Sequence, residues 1–235
     1  MNSNCCNIKT SKKDCCKDNF RSDYNNLLTN FADLYSGRAD LFTFIIVITN
    51  DINKLKEFIK NNPNDFTAIA NLISTLLQTL VPFNTLITAL TALNLKIMGN
   101  LELLLSDLLS CDILSCKSCT NSTKCETCNL IENISTTIKT ITTLNTTFVT
   151  ISNTILNLQK QFLVLVTLFE ASPPDVPAIK NQINLMIANI TIISNLLPSI
   201  TTDYDQLVCQ LETVINSLVK CGLTNSCSKQ ITYLK

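Results

Sequence analysis

Twelve cysteines carry most of the chemistry open to this 235-residue chain, which has no histidine and no tryptophan. Four form the adjacent pairs Cys5-Cys6 and Cys15-Cys16. Five more, Cys111, Cys116, Cys119, Cys125 and Cys128, fall close together, and Cys209, Cys221 and Cys227 lie toward the C-terminal end. Neighbouring cysteines bond to each other only through a strained ring, so each member of a pair is expected to take a different partner. Cross-links between chains, bridges within one chain and metal binding all fit such a set, with free thiols as the plain alternative. The metal reading has a motif: Cys116-x2-Cys119-x5-Cys125-x2-Cys128 contains two Cys-x-x-Cys knuckles, and four thiolates can enclose Zn²⁺ tetrahedrally. The five-residue gap is short, however, and Cys111, Cys221 and Cys227 leave a surplus. No strand-helix-strand pattern surrounds either knuckle, which argues against thioredoxin-like redox chemistry.

Other chemistry is excluded by what is missing. Without histidine there is no Ser-His-Asp triad, no Cys-His pair and no imidazole switch. Three glycines leave no Gly-rich phosphate loop. Eighteen basic and eighteen acidic residues give zero net charge, and no basic run is present, so nucleic acid is not an expected partner. No pair of carboxylates stands out as acid and base, and Asp107 and Asp112 read as solvated or capping. Enzymatic function and a resident cofactor are therefore not expected.

Helices must position the thiols. Apolar residues recur at steps of three and four from Ile69 through Ile73, Leu76, Leu80, Phe83, Ile87, Leu90, Asn94, Ile97, Leu101, Leu104 and Leu108 to Cys111. A second seam runs from Ile134 through Ile138, Ile141, Asn145, Phe148, Ile155, Phe162 and Leu165 to Phe169. A third runs from Val176 through Ile179, Ile183, Met186, Ile190, Ile193, Leu197, Ile200, Tyr204, Leu207, Leu211, Val214 and Leu218 to Cys221. A repeat near 3.5 residues sustained this long implies coiled-coil-like packing, and Asn94 and Asn145 read as register-fixing residues within it. Asp65 and Asp175 offer N-caps, Thr123 and Glu126 a capping box, and Gly222 a C-terminal cap. Pro82 and Pro198 fall inside seams and are expected to kink or break their helices. Ahead of these lie two shorter segments, 22–36 ending at Gly37 and 39–61 ending before Pro63. The runs 42–48 and 162–169 are apolar nearly all round, which places them centrally or at an interface.

The expected fold is all-α: an elongated antiparallel bundle of three long helices of about 45 residues each, plus two shorter N-terminal helices. Residues 1–20 form a flexible arm bearing two cysteine pairs, 21–221 the bundle and 222–235 a tail. The Cys-rich loop 111–128 would sit at one pole, where Cys221 and Cys227 also arrive and from which Cys209 lies about 18 Å distant.

Residues 66–95 carry no charge, long enough for a membrane span, but polar residues recur through the stretch at helical spacing, and an amphipathic helix is the favoured reading. The opening residues have no apolar h-region, so export by the general secretory route is not expected. Long apolar seams build a core without disulfide staples, which frees the cysteines for bonds between chains. All twelve, Cys5, Cys6, Cys15, Cys16, Cys111, Cys116, Cys119, Cys125, Cys128, Cys209, Cys221 and Cys227, are candidates for such cross-linking. The adjacent pairs, the 111–128 cluster and the Asn-, Thr- and Ile-rich composition resemble the cysteine-rich spore-surface proteins of clostridia. That resemblance implies a structural protein made in the cytoplasm and deposited on the exosporium or coat. It implies self-assembly into disulfide-linked lattices or filaments, with itself and other spore-surface proteins as partners. A zinc-stabilised helical binding module and a membrane-active helical protein are the alternatives.

Overall fold

The two expected aspartate caps are in place. Asp65 accepts the Ala68 N–H on Oδ1 at 3.0 Å, and its carbonyl accepts the Ile69 N–H at 3.0 Å. Asp175 does the same for Ala178 at 3.0 Å and Ile179 at 2.9 Å. Each side chain satisfies an amide that the first helical turn would otherwise leave unpaired. The computed structural model describes the backbone of residues 12–110 and 124–220 and the side chains of 19–109 and 129–219. Among the described residues there are four α-helices and no strand: α1 (Lys12–Asn61), α2 (Phe66–Ser110), α3 (Lys124–Glu170) and α4 (Val176–Lys220).

Three long helices were expected, and three are found as α2, α3 and α4. The two shorter ones are not separate: α1 runs unbroken for 50 residues through Gly37. The cause is register. Buried Leu34 and Leu41 are seven residues apart, so the seam of the first segment continues in phase into the second. Gly37 occupies a close approach, because a Cβ there would come within 3.1 Å of Leu90 Cδ2 and 3.8 Å of the Tyr204 hydroxyl. Its role is packing, and it does not end the helix. The helix also starts earlier than expected, so 12–20 of the presumed arm, including Cys15 and Cys16, is helical, and Phe20 is buried.

Neither proline breaks its helix. Pro82 and Pro198 both lie on exposed faces, where water can serve the carbonyl that each leaves without its helical partner. Every expected position of the α2 seam from Ile69 to Leu108 is buried, Asn94 included. In α4 the seam holds from Ile179 to Leu218, with Val176 exposed. The α3 seam is offset in part. Leu130, Ile134, Thr137, Ile141, Leu144, Phe148, Ile151, Ile155, Leu158 and Leu165 are buried, whereas Ile138, Asn145, Phe162 and Phe169 are half-buried. The apolar runs also divide: Ile45, Ile48 and Leu165 are buried while Ile46, Val47, Leu163 and Val164 face outward.

The described chain forms two compact units, and every helix contributes to both. Unit 1 holds 12–36, 93–110, 124–142 and 205–220. Unit 2 holds 37–61, 66–92, 143–170 and 176–204. Within unit 2, Thr79 of α2 donates to Asp51 of α1 at 3.4 Å, and the Phe44 and Phe83 rings lie 6.1 Å apart. Ser152 of α3 bonds to Asn84 of α2 at 2.6 Å, Asn189 of α4 donates to Gln161 of α3 at 2.8 Å, and Lys56 of α1 donates to Ser194 of α4 at 3.1 Å. These contacts set up a ring α1-α2-α3-α4 in which neighbours are antiparallel and α3 stands diagonally across from α1. Phe42 meets the buried Tyr204 ring edge-on at 6.2 Å, and burial pushes the Tyr204 hydroxyl pKa up, with Arg38 acting against it.

Threonine governs the character of the outer surface. Along all four helices Thr hydroxyls donate to the carbonyl four residues earlier: Thr43 to Ala39, Thr88 to Asn84, Thr142 to Ile138, Thr150 to Thr146 and Thr191 to Ile187 are examples at 2.8–2.9 Å. The hydroxyl proton is used within the helix itself.

Candidate functional site

Unit 1 holds the four helix termini that lie nearest the cysteines in sequence. α1 begins there at Lys12, α2 ends at Ser110, α3 begins at Lys124 and α4 ends at Lys220. Asp23 near the start of α1 acts on Asp107 near the end of α2, and Asn133 and Thr136 near the start of α3 share a groove with Cys209 and Thr213 near the end of α4, so within this one compact unit the four termini lie at one end. Cys15 and Cys16 lie in the first turns of α1, and Cys125 and Cys128 in the first turns of α3. Cys111 and Cys221 follow Ser110 and Lys220 directly in the sequence. Cys5, Cys6, Cys111, Cys116, Cys119, Cys221 and Cys227 lie outside the described residues, as do Asp112, Thr123 and Gly222.

Among the described residues, the core that carries this end is aliphatic and aromatic. Phe20, Tyr24, Leu27 and Phe31 of α1 are buried, with Ile97, Leu101, Leu104 and Leu108 of α2, Leu130, Ile134 and Ile141 of α3, and Leu207, Leu211, Val214 and Leu218 of α4. Thr137, the polar member of the α3 seam, satisfies its hydroxyl on the Asn133 carbonyl at 2.7 Å. No described core residue is a cysteine.

Cys209 is the cysteine whose side chain is described. It is a free, exposed thiol on α4. It borders a groove of about 230 Å³ between α3 and α4, lined by Asn133, Thr136, Gln206, Gln210 and Thr213. Every other lining residue is neutral, so the groove supplies no base to take the thiol proton and no charge to hold a thiolate. Gln210 Oε1 is buried without a hydrogen-bond partner among the described residues. Nor do the described residues contain a cluster of three or more His, Cys, Asp or Glu side chains able to hold a metal. For zinc, the backbone places Cys125 and Cys128 in the first turns of α3, three residues apart.

No family model, curated protein or solved structure matches this chain.

One pair of groups escaped the sequence reading. Asp23 on α1 lies near enough to Asp107 on α2, within unit 1, to act on it electrostatically. Burial raises the Asp107 pKa above the ordinary carboxylate value, with Asp23 adding to the rise, and burial also raises that of Asp23. Asp107 is half-buried, and its Oδ2 is buried with no hydrogen-bond partner among the described residues, so the carboxylate is solvated only in part. The residues are 84 apart in sequence, and only the register between antiparallel helices brings them together. Elsewhere, Phe66–Leu109 of α2 and Val176–Val219 of α4 are long and apolar enough to cross a membrane by length and composition, as core helices of a bundle also are.

Proposed function

We propose that this chain is a structural protein that assembles with copies of itself, cross-linked by disulfides, on a cell or spore surface. The observation that carries the reading is the gathering of four cysteine-bearing helix termini at one end of unit 1, above a core that uses no described cysteine. A fold that closes on aliphatic and aromatic side chains leaves its thiols for other work. Seven cysteines lie within five residues in sequence of one of these four termini, and each terminus has at least one. Helix termini gathered in this way, each with cysteines close by in sequence, would let the thiols bond to neighbours on several sides, which is what a lattice or filament requires.

Electrophoresis of purified assemblies with and without reductant tests this. The expected result is a ladder of multiples that collapses to one band on reduction. A lone monomer band without reductant refutes the covalent part. Substituting Cys5, Cys6, Cys15 and Cys16 by Ser should leave the helical signal intact and weaken the polymer.

A zinc-stabilised module built on Cys116, Cys119, Cys125 and Cys128 is the second reading, favoured by the α3 N-terminus that carries two of the four ligands. One equivalent of zinc in protein prepared under reducing conditions would support it over cross-linking.

A further inference from the structure

Unit 2 has a charged side and an uncharged one. α1 carries Asp51, Lys54, Lys56, Glu57 and Lys60, whereas 66–92 of α2 carries no charge, 143–169 of α3 carries Lys160 alone before Glu170 ends the helix, and α4 has Lys180 and Asp203 near the two ends of its unit 2 stretch with none between them. α3 stands diagonally across from α1, so the neutral side is centred on it. Along α3, Val149, Leu156 and Leu163 recur every seven residues, in a row separate from the core seam, and are 51%, 46% and 67% exposed. Val81 of α2 is also exposed and widens this row, lying one turn from Asn84 as Leu156 lies one turn from Ser152, the two residues joined by a hydrogen bond. A second heptad row on the outside of a bundle helix has the spacing that knobs-into-holes packing with another helix requires.

The row is also symmetric about its middle member. Val149 and Leu163 are each seven residues from Leu156. We propose that unit 2 pairs with unit 2 of a second copy, the α3 helices antiparallel about a two-fold axis at Leu156. Leu156 then meets its own counterpart, and Val149 of each copy meets Leu163 of the other, as an isologous contact demands. Charge favours the same arrangement. The antiparallel axis sets Lys160 opposite Ser152 and Asn153 of the other copy, whereas a parallel pairing would set the two Lys160 ammonium groups against each other. Lys160 also argues against lipid as the occupant, because a bilayer over this row would have to take up its charge. The contact uses no cysteine, so it stands or falls apart from the cross-linking reading.

Sedimentation of the full chain in excess reductant tests it. The wild type is expected at twice the chain mass, and Val149→Lys and Leu163→Glu each at once the chain mass. The double variant V149K/L163E places each new lysine opposite a new glutamate and should return to twice the mass. All three sites are exposed, so the helical circular dichroism should be unchanged. Should a charged variant fail to fold, Leu156→Asn is the milder probe, expected to weaken the dimer at least about ten-fold. A monomeric wild type at up to about 100 μM, or a folded double variant that stays monomeric, overturns the proposal. So does a wild type that is monomeric in solution but floats with neutral phosphatidylcholine vesicles.

Discussion

Two glycines inside helices allow the packing of α1 to be measured against an internal standard. Gly99 of α2 has nothing within 4 Å of where a Cβ would stand, and Gly37 of α1 has Leu90 Cδ2 at 3.1 Å. Replacing either by alanine removes the backbone entropy that glycine loses in a helix, a gain of about 1 kcal/mol. At Gly99 that gain should appear in full and raise Tm by about 2–4 °C for a chain of this size. At Gly37 the new methyl presses on Leu90, a buried side chain that must shift by a few tenths of an ångström, so the gain is largely cancelled and Gly37→Ala should stay within about 0.5 kcal/mol of wild type. Gly37→Leu has no room and should cost about 1–3 kcal/mol. Urea and thermal unfolding followed at 222 nm, in reductant, would give all three values. If Gly37→Ala stabilised as much as Gly99→Ala, the close approach to Leu90 would be wrong. A loss of about 1 kcal/mol or more in Gly37→Ala would instead mean that Leu90 cannot yield and that the new methyl overpacks the site.

Asp107→Asn should raise stability at neutral pH, by no more than about 1 kcal/mol because solvent screens a partly exposed group. The sign follows from the raised pKa: the folded chain holds the proton more tightly than the unfolded one, so stability falls as pH climbs from the ordinary value of 3.8 through the raised one. The advantage of the Asn variant should therefore vanish below about pH 3.8 in a pH series of unfolding curves. Asp65→Ala and Asp175→Ala each remove an N-cap and should cost about 0.5–2 kcal/mol in urea melts, with Asn at either site retaining most of it. If the zinc reading holds, a chelator added to reduced protein should lower Tm and release metal, whereas the cross-linking reading expects no change.

How much of this was legible in the sequence varies from helix to helix. The α2 and α4 seams could be followed residue by residue because large apolar side chains fill nearly every inward position. In α3 the eye is misled by chemistry: Thr137 is inward and satisfied by its own helix, while Ile138 next to it is half-buried, so a path choosing the more apolar neighbour drifts off the seam. Gly37 was read as punctuation because a glycine ending one segment and a glycine admitting a neighbour look alike until Leu90 is seen against it. The outward row of Val149, Leu156 and Leu163 is invisible in a pattern search for the same reason, since leucine spaced by seven marks a contact without saying with what. The Asp23–Asp107 pair depends on the register of two helices, which no local motif encodes. Of the candidate site, the antiparallel order of α2, α3 and α4 that sets the end of α2, the start of α3 and the end of α4 together was legible from connection lengths alone.

The threonine hydroxyls have one last consequence. A composition table counts 29 threonines as hydrophilic. Where the proton is turned back onto the parent helix, water meets the methyl as much as the oxygen. Apart from Lys160, the stretches 66–92 of α2, 143–169 of α3 and 181–202 of α4 in unit 2 thus have little for dissolved ions to act on. Adhesion through it would keep its strength from dilute buffer to brine, unlike contacts made between lysines and carboxylates.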